Sequence, residues 1–218
     1  RVFSYPNLKM GAHRNEDFGN MINGTTGQVS TTCILKDVDS RALIDFAAVH
    51  NSNNDFALNG PQNIKANLRN YWCNGTPLPP LKSSSTEAEV NENFGEFTST
   101  VTKLLVLQES KGYGELIRNI KEGNIEEISP TDEITKALFN IDMDAEGSNS
   151  VRSRQKAEAE DKEASNIYKA GSVVVFKNLK KNKFGIMIIR SVNVDFDAVK
   201  ATNDANATIT FDLYYQRY

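Results

Sequence analysis

The chain has 218 residues, of which 39% are hydrophobic and 24% are charged, and its formal net charge at pH 7 is −3. A chain of this length buries a substantial core, and this composition is ordinary for a globular protein, which argues against global disorder. The acidic balance argues against a nucleic-acid-binding protein, and no apolar run approaches the roughly 20 residues needed to span a bilayer.

The N-terminal residues 1–60 predict β structure interrupted by turns. Residues 31–35 form a short β-prone run. The apolar run 42–49 is broken only by Asp45 and predicts a strand that is buried on both faces. A helix over residues 41–49 is the alternative, because periodicity alone does not separate the two for so short a run.

A turn-rich segment, residues 59–85, follows. Its Gly-Pro, Asn-Gly and Pro-Pro pairs exclude a long regular element. The hydroxyl-bearing residues 83–86, followed by Glu87 and Glu89, are typical of a helix start, because a hydroxyl caps the free N–H groups and acids favour the helix dipole. Residues 98–108 then predict a strand from their β-branched and leucine content.

The middle of the chain, residues 109–170, predicts a helical or loose insertion. Apolar side chains recur at helical spacing in residues 115–122 and 132–140. Residues 148–169 are strongly charged and poor in apolar side chains until their last few positions, which is typical of a solvated helix or a loop.

The C-terminal part of the chain predicts three consecutive strands, residues 172–177, 184–196 and 207–216, separated by polar turns. These lengths predict an antiparallel meander. Gly185 in the middle strand predicts either the close approach of a ring or backbone, or a bulge.

Together these elements predict a mostly β protein, an antiparallel β-sandwich formed by one domain, residues 1–218, with the insertion at 109–170. The alternative is an α+β protein of two small domains, residues 1–108 and 109–218.

Two groups of segments carry a resemblance to a known class of proteins. The closing strands, residues 171–177, 183–188 and 207–213, resemble those of secreted lipoprotein-type domains of anaerobic gut bacteria. Upstream, residues 43–46 and 58–61 are similar to another stretch of the same domains. The resemblance therefore lies mainly in residues 43–61 and 171–215.

This resemblance implies a β-sandwich fold and an exported location, at the outer surface or in the periplasm. The resemblance does not identify any functional residue in this chain. The chain departs from the pattern at Asn178, where threonine is usual, and at Gly60, where serine is common. A lipid anchor upstream of Arg1 would fit the same class. Because the chain does not begin with methionine, we expect that its original N-terminus has been removed, and a secretory signal peptide is one segment that the removal could have included.

The two cysteines, Cys33 and Cys73, have two interpretations. In an oxidising compartment they form one disulfide. As free thiols they act as small buried hydrophobic residues.

An acidic run predicts a solvated turn, and a calcium site is the alternative. Asp142, Asp144 and Glu146 alternate ahead of Gly147, as in the first half of a calcium-binding loop, and alternating oxygen ligands converge on a hard cation. Ser153 stands where an EF-hand has its bidentate glutamate, and this departure favours the solvated acidic turn over the calcium site. No other cofactor is expected.

Catalytic signatures are weak. His13 and His50 are the only histidines, and neither has metal-ligand spacing with a cysteine or another histidine. No G-x-S-x-G motif is present, and no signature surrounds either cysteine. Carboxylates are numerous, but the sequence does not identify a catalytic pair.

The pair Tyr71-Trp72 is the candidate ligand-binding site. Flat aromatic faces stack on sugar rings and anchor protein interfaces. The alternative is that the single tryptophan is a core anchor between sheets. On the last strand, alternation predicts that Tyr214 and Tyr215 point to opposite faces.

The sequence therefore predicts a non-enzymatic, exported binding or structural module whose partner is a glycan or a protein at the cell surface. The first alternative is a small hydrolase acting on polysaccharide or peptidoglycan. The second is a subunit of a surface assembly joined by strand addition at a free sheet edge, with the final strand as donor or acceptor.

Overall fold

The computed structural model describes residues 2–15, 17–50, 56–123, 136–138, 140–153, 166–194 and 206–217. In these ranges the strands are β1 (Val2–Gly11), β2 (Met21–Asn23), β3 (Gln28–Ser30), β4 (Phe46–His50), β5 (Phe56–Asn59), β6 (Trp72–Cys73), β7 (Thr76–Pro77), β8 (Thr102–Val106), β9 (Ser150–Arg152), β10 (Val173–Asn178), β11 (Lys183–Asn193) and β12 (Thr208–Gln216). The α-helices with assigned bounds are α1 (Val38–Arg41), α2 (Glu87–Thr98), α3 (Gly114–Glu122) and α4 (Met143–Glu146), and the 3-10 helices are Thr32–Lys36, Pro61–Asn63, Leu68–Asn70 and Glu109–Lys111.

Two antiparallel five-stranded sheets form the body of the protein. The first sheet has the strand order β1-β12-β11-β10-β8, and the second has the order β3-β2-β4-β5-β9. A small ribbon, β6-β7, lies apart from both sheets. The prediction of a mostly β, antiparallel sandwich is confirmed. No helix in the described ranges is long and apolar enough to cross a membrane.

Alternation along the strands sorts apolar side chains into layers. Val174 and Phe176 of β10 belong to the core between the sheets, together with Phe46 of β4 and Leu58 of β5. The intervening Val175 faces the other side of the first sheet, where α3 packs. A third cluster covers the outer face of the second sheet and includes α2 and the turn-rich segment after β5. Since the central strands β4, β5, β10 and β11 are covered on both faces, they have apolar residues at successive positions.

The predicted meander is confirmed as β10, β11 and β12, which pair in antiparallel succession. Gly185 pairs with Phe176, and a Cβ at this position would lie 2.1 Å from the Phe176 ring. The prediction of a close ring approach is therefore confirmed. Tyr215 is buried between the sheets and Tyr214 packs on the opposite face, as alternation predicts.

The predicted β run at residues 31–35 is wrong, because Thr32–Lys36 is a 3-10 helix. β-Propensity is a weak signal away from a sheet, and here a disulfide between Cys33 and Cys73 ties the segment to β6 instead. The apolar run 42–49 contains a strand, but β4 begins only at Phe46 because α1 and a turn precede it.

The helix start at Thr86 is confirmed: its hydroxyl accepts from Glu89 N, and the Glu89 side chain accepts from Thr86 N in a capping box. Since α2 runs to Thr98, the strand predicted at 98–108 begins later, at β8.

The helix predicted at 115–122 is confirmed as α3. For the helix predicted at 132–140, residues 136–138 are helical, and residues 132–135 and 139 lie outside the described ranges. Residues 148–169 are predicted to be a solvated helix or a loop. This segment contains β9, which pairs with β5, and its residues 154–165 lie outside the described ranges.

Candidate functional site

A polar cavity of about 370 Å³ lies on the outer face of the second sheet. We call it the sheet cavity. It is lined by His13, Val49, His50, Ala57, Asn59, Asn63, Ile64, Asn67, Asn70, Tyr71, Ser150 and Arg152.

The floor of the sheet cavity follows from strand register. Val49 of β4 pairs with Ala57 of β5, which pairs with Arg152 of β9, and Asn59 pairs with Ser150. These side chains lie on the face opposite the core residues Leu58 and Val151. Ala57 and Ser150 carry small side chains, so this part of the floor does not fill the space beneath the loop segment that covers it.

Loop residues 61–71 form one wall of the sheet cavity. Two 3-10 helices, Pro61–Asn63 and Leu68–Asn70, hold this segment close to the sheet, and Leu68 is buried in the outer cluster. Their turns place Asn67 and Asn70 at the cavity.

A chain of side-chain hydrogen bonds orders one side of the sheet cavity. Asn63 Nδ2 donates to Asn59 Oδ1 at 2.8 Å. Burial raises the pKa of the Tyr71 hydroxyl, and a hydrogen bond from the Asn59 side chain acts in the opposite direction. Tyr71 is therefore a neutral, oriented hydroxyl group on a fully buried ring.

Three polar side chains of the sheet cavity, those of Ser150, Asn67 and Asn70, form no side-chain hydrogen bond to a described residue. In the described part of the chain, the Ser150 hydroxyl has no hydrogen-bond partner although the residue is only 6% exposed. No side-chain hydrogen bond to a described residue engages Asn67 or Asn70. A buried hydroxyl without a partner is costly, and a polar ligand or water in the cavity would satisfy it.

His13 lies beside Tyr71, with ring centroids 5.0 Å apart. Burial, assisted by the nearby charges of Arg14 and His50, lowers the pKa of His13 to about 3. The His13 imidazole is therefore neutral at physiological pH and offers both a donor and an acceptor.

A second cavity, of about 300 Å³, shares His13 with the first. We call it the tryptophan cavity. It is lined by His13, Arg14, Asn15, Thr31, Trp72, Asn74 and Gly75. The Arg14 guanidinium lies 4.3 Å from the centre of the Trp72 ring, within the range of a cation–π contact.

The two cavities have a common electrostatic character. Their charged and titratable lining groups are His13, Arg14, His50, Tyr71 and Arg152, and no Asp or Glu among the described residues lines either cavity. They therefore offer hydrogen-bond donors and basic groups, and their described lining contains no carboxylate pair of the kind used by glycosidases.

The predicted aromatic pair is divided between these cavities. Tyr71 is 1% exposed and belongs to the outer hydrophobic cluster, so its ring does not form an exposed platform. Trp72 is half-buried and lines the tryptophan cavity. Ligand binding by Tyr71 and Trp72 remains a prediction.

The predicted calcium residues lie elsewhere, next to β8. Asp142 accepts hydrogen bonds from Asp144 N and Ala145 N at 3.1 and 3.2 Å and so caps α4. Glu146 accepts a hydrogen bond from the Tyr113 hydroxyl, whose pKa is raised to about 12 by partial burial and by this carboxylate. The described residues contain no group of three or more metal-ligating side chains.

The structure also bears on nucleophilic chemistry and strand addition. Cys33 and Cys73 form a disulfide with Cα atoms 4.8 Å apart, so neither is a thiol nucleophile. Ser150 Oγ is not hydrogen-bonded to a histidine.

The final strand, β12, is paired with β1 and β11 on its two sides and has no free edge.

Sequence reasoning missed most of the sheet cavity. His13 and His50 were separated by too many residues to suggest a common site, and the asparagines were consistent with turns. The sequence pattern that could have indicated part of this cavity is the alternation in β5. It places Ala57 and Asn59 on the face opposite the apolar core.

No protein-family model matches the sequence, and no curated protein matches it. Among solved structures, the chain is similar to a DUF4466 family protein from Parabacteroides merdae ATCC 43184, with a TM-score of 0.50 and 12% sequence identity. The similarity covers 100% of this chain and 54% of that chain, so this protein spans about half the length of the solved structure. At this identity the similarity concerns the fold alone.

Proposed function

We propose that this protein is a non-enzymatic glycan-binding module and that the sheet cavity holds the sugar. The observation that carries the proposal is the lining of that cavity: asparagine amides, a serine hydroxyl, a neutral imidazole and a tyrosine ring around about 370 Å³. This volume falls at the lower end of the roughly 300–1,000 Å³ typical of small-ligand sites.

The chemistry of a saccharide fits these groups. Each hydroxyl of a sugar donates and accepts hydrogen bonds, and an amide side chain offers both a carbonyl acceptor and N–H donors. Asn67 and Asn70 bring amides that are free of side-chain bonds to described residues, and Ser150 brings a buried hydroxyl that lacks a partner. A ligand that satisfies these groups gains more than an apolar one, which would leave them desolvated.

A hydrolase is less well supported than a binding module. Hydrolysis of a glycosidic bond requires a general acid and a second carboxylate across the bond, and the described lining of both cavities has neither. The cavity groups bind and orient a ligand without supplying that pair.

We place the module outside the cytoplasm, at the outer surface or in the periplasm. The disulfide supports this location, because such bonds persist in oxidising compartments and are rare in the cytosol. The resemblance of the closing strands to exported domains supports it independently. A lipid anchor upstream of residue 1 and a calcium ion at Asp142, Asp144 and Glu146 are further proposals, and neither is needed for sugar binding.

A glycan array followed by calorimetric titration tests the proposal. Ala57→Leu extends a side chain into the floor of the sheet cavity, and Asn67→Ala removes an amide at its wall. We expect Ala57→Leu to abolish binding and Asn67→Ala to weaken it at least tenfold.

Asn119→Ala is the matched control, because Asn119 is an exposed asparagine on α3, on the outer face of the other sheet. Thermal unfolding of each variant separates loss of binding from loss of folding. Absence of binding to every glycan, or full binding by a folded Ala57→Leu variant, would overturn the proposal and direct the search to protein partners.

A further inference from the structure

The tryptophan cavity contains an arginine, Arg14, that forms no ion pair with a described carboxylate. In the described part of the chain, Arg14 forms no ion pair, and its Nε is buried without a hydrogen-bond partner. Other arginines differ: Arg41 pairs with Glu96, and Arg190 pairs with Asp212. A buried N–H donor without an acceptor is unfavourable, because it has lost water and gained no hydrogen bond, and Arg14 Nε is such a donor.

The local structure holds Arg14 in this position. Its guanidinium lies over the Trp72 ring at 4.3 Å, and Trp72 is anchored by the neighbouring disulfide at Cys73. Stacking on an indole uses the flat face of a guanidinium, and the N–H donors lie around its edge. These donors form a fork that matches the two oxygens of a carboxylate or of a sulfate.

The position of the cavity relates this arginine to the sugar site. The tryptophan cavity and the sheet cavity share His13, so they lie next to each other at this residue. Asn15 and Asn74 add amide groups around Arg14. No described carboxylate lines either cavity to repel an anion.

We propose that the tryptophan cavity is an anion subsite, in which Arg14 binds the carboxylate or sulfate of an acidic saccharide whose neighbouring sugar occupies the sheet cavity. This inference rests on the proposed function and adds the class of glycan: uronate-containing, sialylated or sulfated rather than neutral. Trp72 acts as a positioning residue that holds the guanidinium.

The test is an array that carries neutral, uronate-containing, sialylated and sulfated oligosaccharides, probed with the wild-type protein and with Arg14→Gln. Arg14→Gln keeps a flexible polar side chain and removes the charge. Arg118→Gln is the matched control, because Arg118 is exposed on α3, away from both cavities. We expect acidic glycans to bind, Arg14→Gln to weaken them at least tenfold, and Arg118→Gln to leave them unchanged.

Two further measurements complete the test. For the tightest carboxylated glycan, the methyl ester removes the charge and leaves the sugar, and it should bind as weakly to the wild type as the free acid binds to Arg14→Gln. A salt titration of the wild type needs no variant, and the affinity for an acidic glycan should fall as salt screens the contact. Comparing the binding of carboxylated glycans with the binding of sulfated glycans shows which of the two groups Arg14 binds.

The outcomes separate this inference from the proposed function. Binding of neutral glycans at equal strength, unaffected by Arg14→Gln, would overturn the anion subsite and leave the glycan-binding proposal intact. Binding of acidic glycans that survives Arg14→Gln and the methyl ester would also overturn it. Failure to bind any glycan would overturn both.

Discussion

Lys181 Nζ lies 3.0 Å from Oδ1 and 3.1 Å from Oδ2 of Asp45, whose side chain is fully buried. Asp45 directly precedes β4 of the second sheet, and Lys181 lies in the turn between β10 and β11 of the first. The ion pair therefore joins the two sheets at one end of the sandwich.

Three more donors surround this carboxylate. Gly24 N donates to Oδ2 at 2.7 Å, and Asn178 Nδ2 and the Tyr215 hydroxyl donate to Oδ1 at 2.8 and 3.1 Å. A buried carboxylate is tolerated only when its charge and its lone pairs are satisfied, and here both conditions are met. The pKa of Tyr215 is raised by burial and by this carboxylate, so its hydroxyl remains a donor.

Removing the lysine should be strongly destabilising. Lys181→Ala leaves the Asp45 charge buried without a cation, and we expect the free energy of unfolding to fall by about 3 kcal/mol, the lower part of the range for a broken buried pair. Lys180→Ala, an exposed neighbour in the same turn, should change it by less than about 0.5 kcal/mol. Urea denaturation of the two variants measures the difference, and equal stabilities would show that the pair does not hold the sheets together.

The stability of the protein should depend on pH through His13. Its pKa is about 3 in the folded state and 6.5 in the unfolded chain, so the unfolded state binds more protons between these values. Stability is therefore complete above pH 6.5 and is lost as the pH falls toward 3. At pH 5 the loss should be about 2 kcal/mol relative to pH 8.

Chemical denaturation at pH 8 and pH 5 checks this expectation, with His13→Gln as the comparison. The glutamine has no titratable group, so the variant should show a smaller decrease between the two pH values than the wild type. The same decrease in both proteins would mean that other groups, such as the carboxylates, account for the pH dependence.

Reduction of the disulfide should destabilise the fold. Cys33 and Cys73 are 40 residues apart in sequence, and closing a loop of this length stabilises by roughly 4 kcal/mol in the chain-entropy model. Because the bond holds the 3-10 helix Thr32–Lys36 against β6, its loss should also loosen Trp72. We expect the doubly substituted Cys33→Ser, Cys73→Ser protein to unfold at a lower temperature and to bind glycan more weakly.

Scanning calorimetry of the oxidised, reduced and doubly substituted proteins measures the unfolding temperature, and titration calorimetry measures the affinity for glycan. An unchanged melting temperature after reduction would show that packing of the outer cluster, rather than the cross-link, stabilises this segment.

The fold was predictable where local pattern and tertiary structure agree. The closing meander combines period-two alternation, β-branched residues and polar turns. Gly185 indicated a close approach or a bulge, and the pairing with Phe176 on the neighbouring strand shows that a ring lies there. The start of α2 was equally local, since a capping box involves only Thr86 and Glu89.

Predictions that depended on distant partners were less successful. Residues 31–35 have strand propensity, but the disulfide and the outer cluster place them in a 3-10 helix. From the sequence alone, the lysines of the turn after β10 are explained as solvent-exposed residues that keep the protein soluble. Only the packing of the two sheets brings Lys181 to Asp45.

By itself the sequence determined the alternating strands, the turns between them and therefore the class of fold, because these depend on neighbours along the chain. Only the tertiary structure decided that His13, Asn59 and Ser150 share one cavity and that the Arg14 guanidinium lies over the Trp72 ring. The physical reason is that strand pairing and loop packing bring together residues separated by most of the chain. A hydrogen-bonding site built in this way leaves no period or spacing in the sequence.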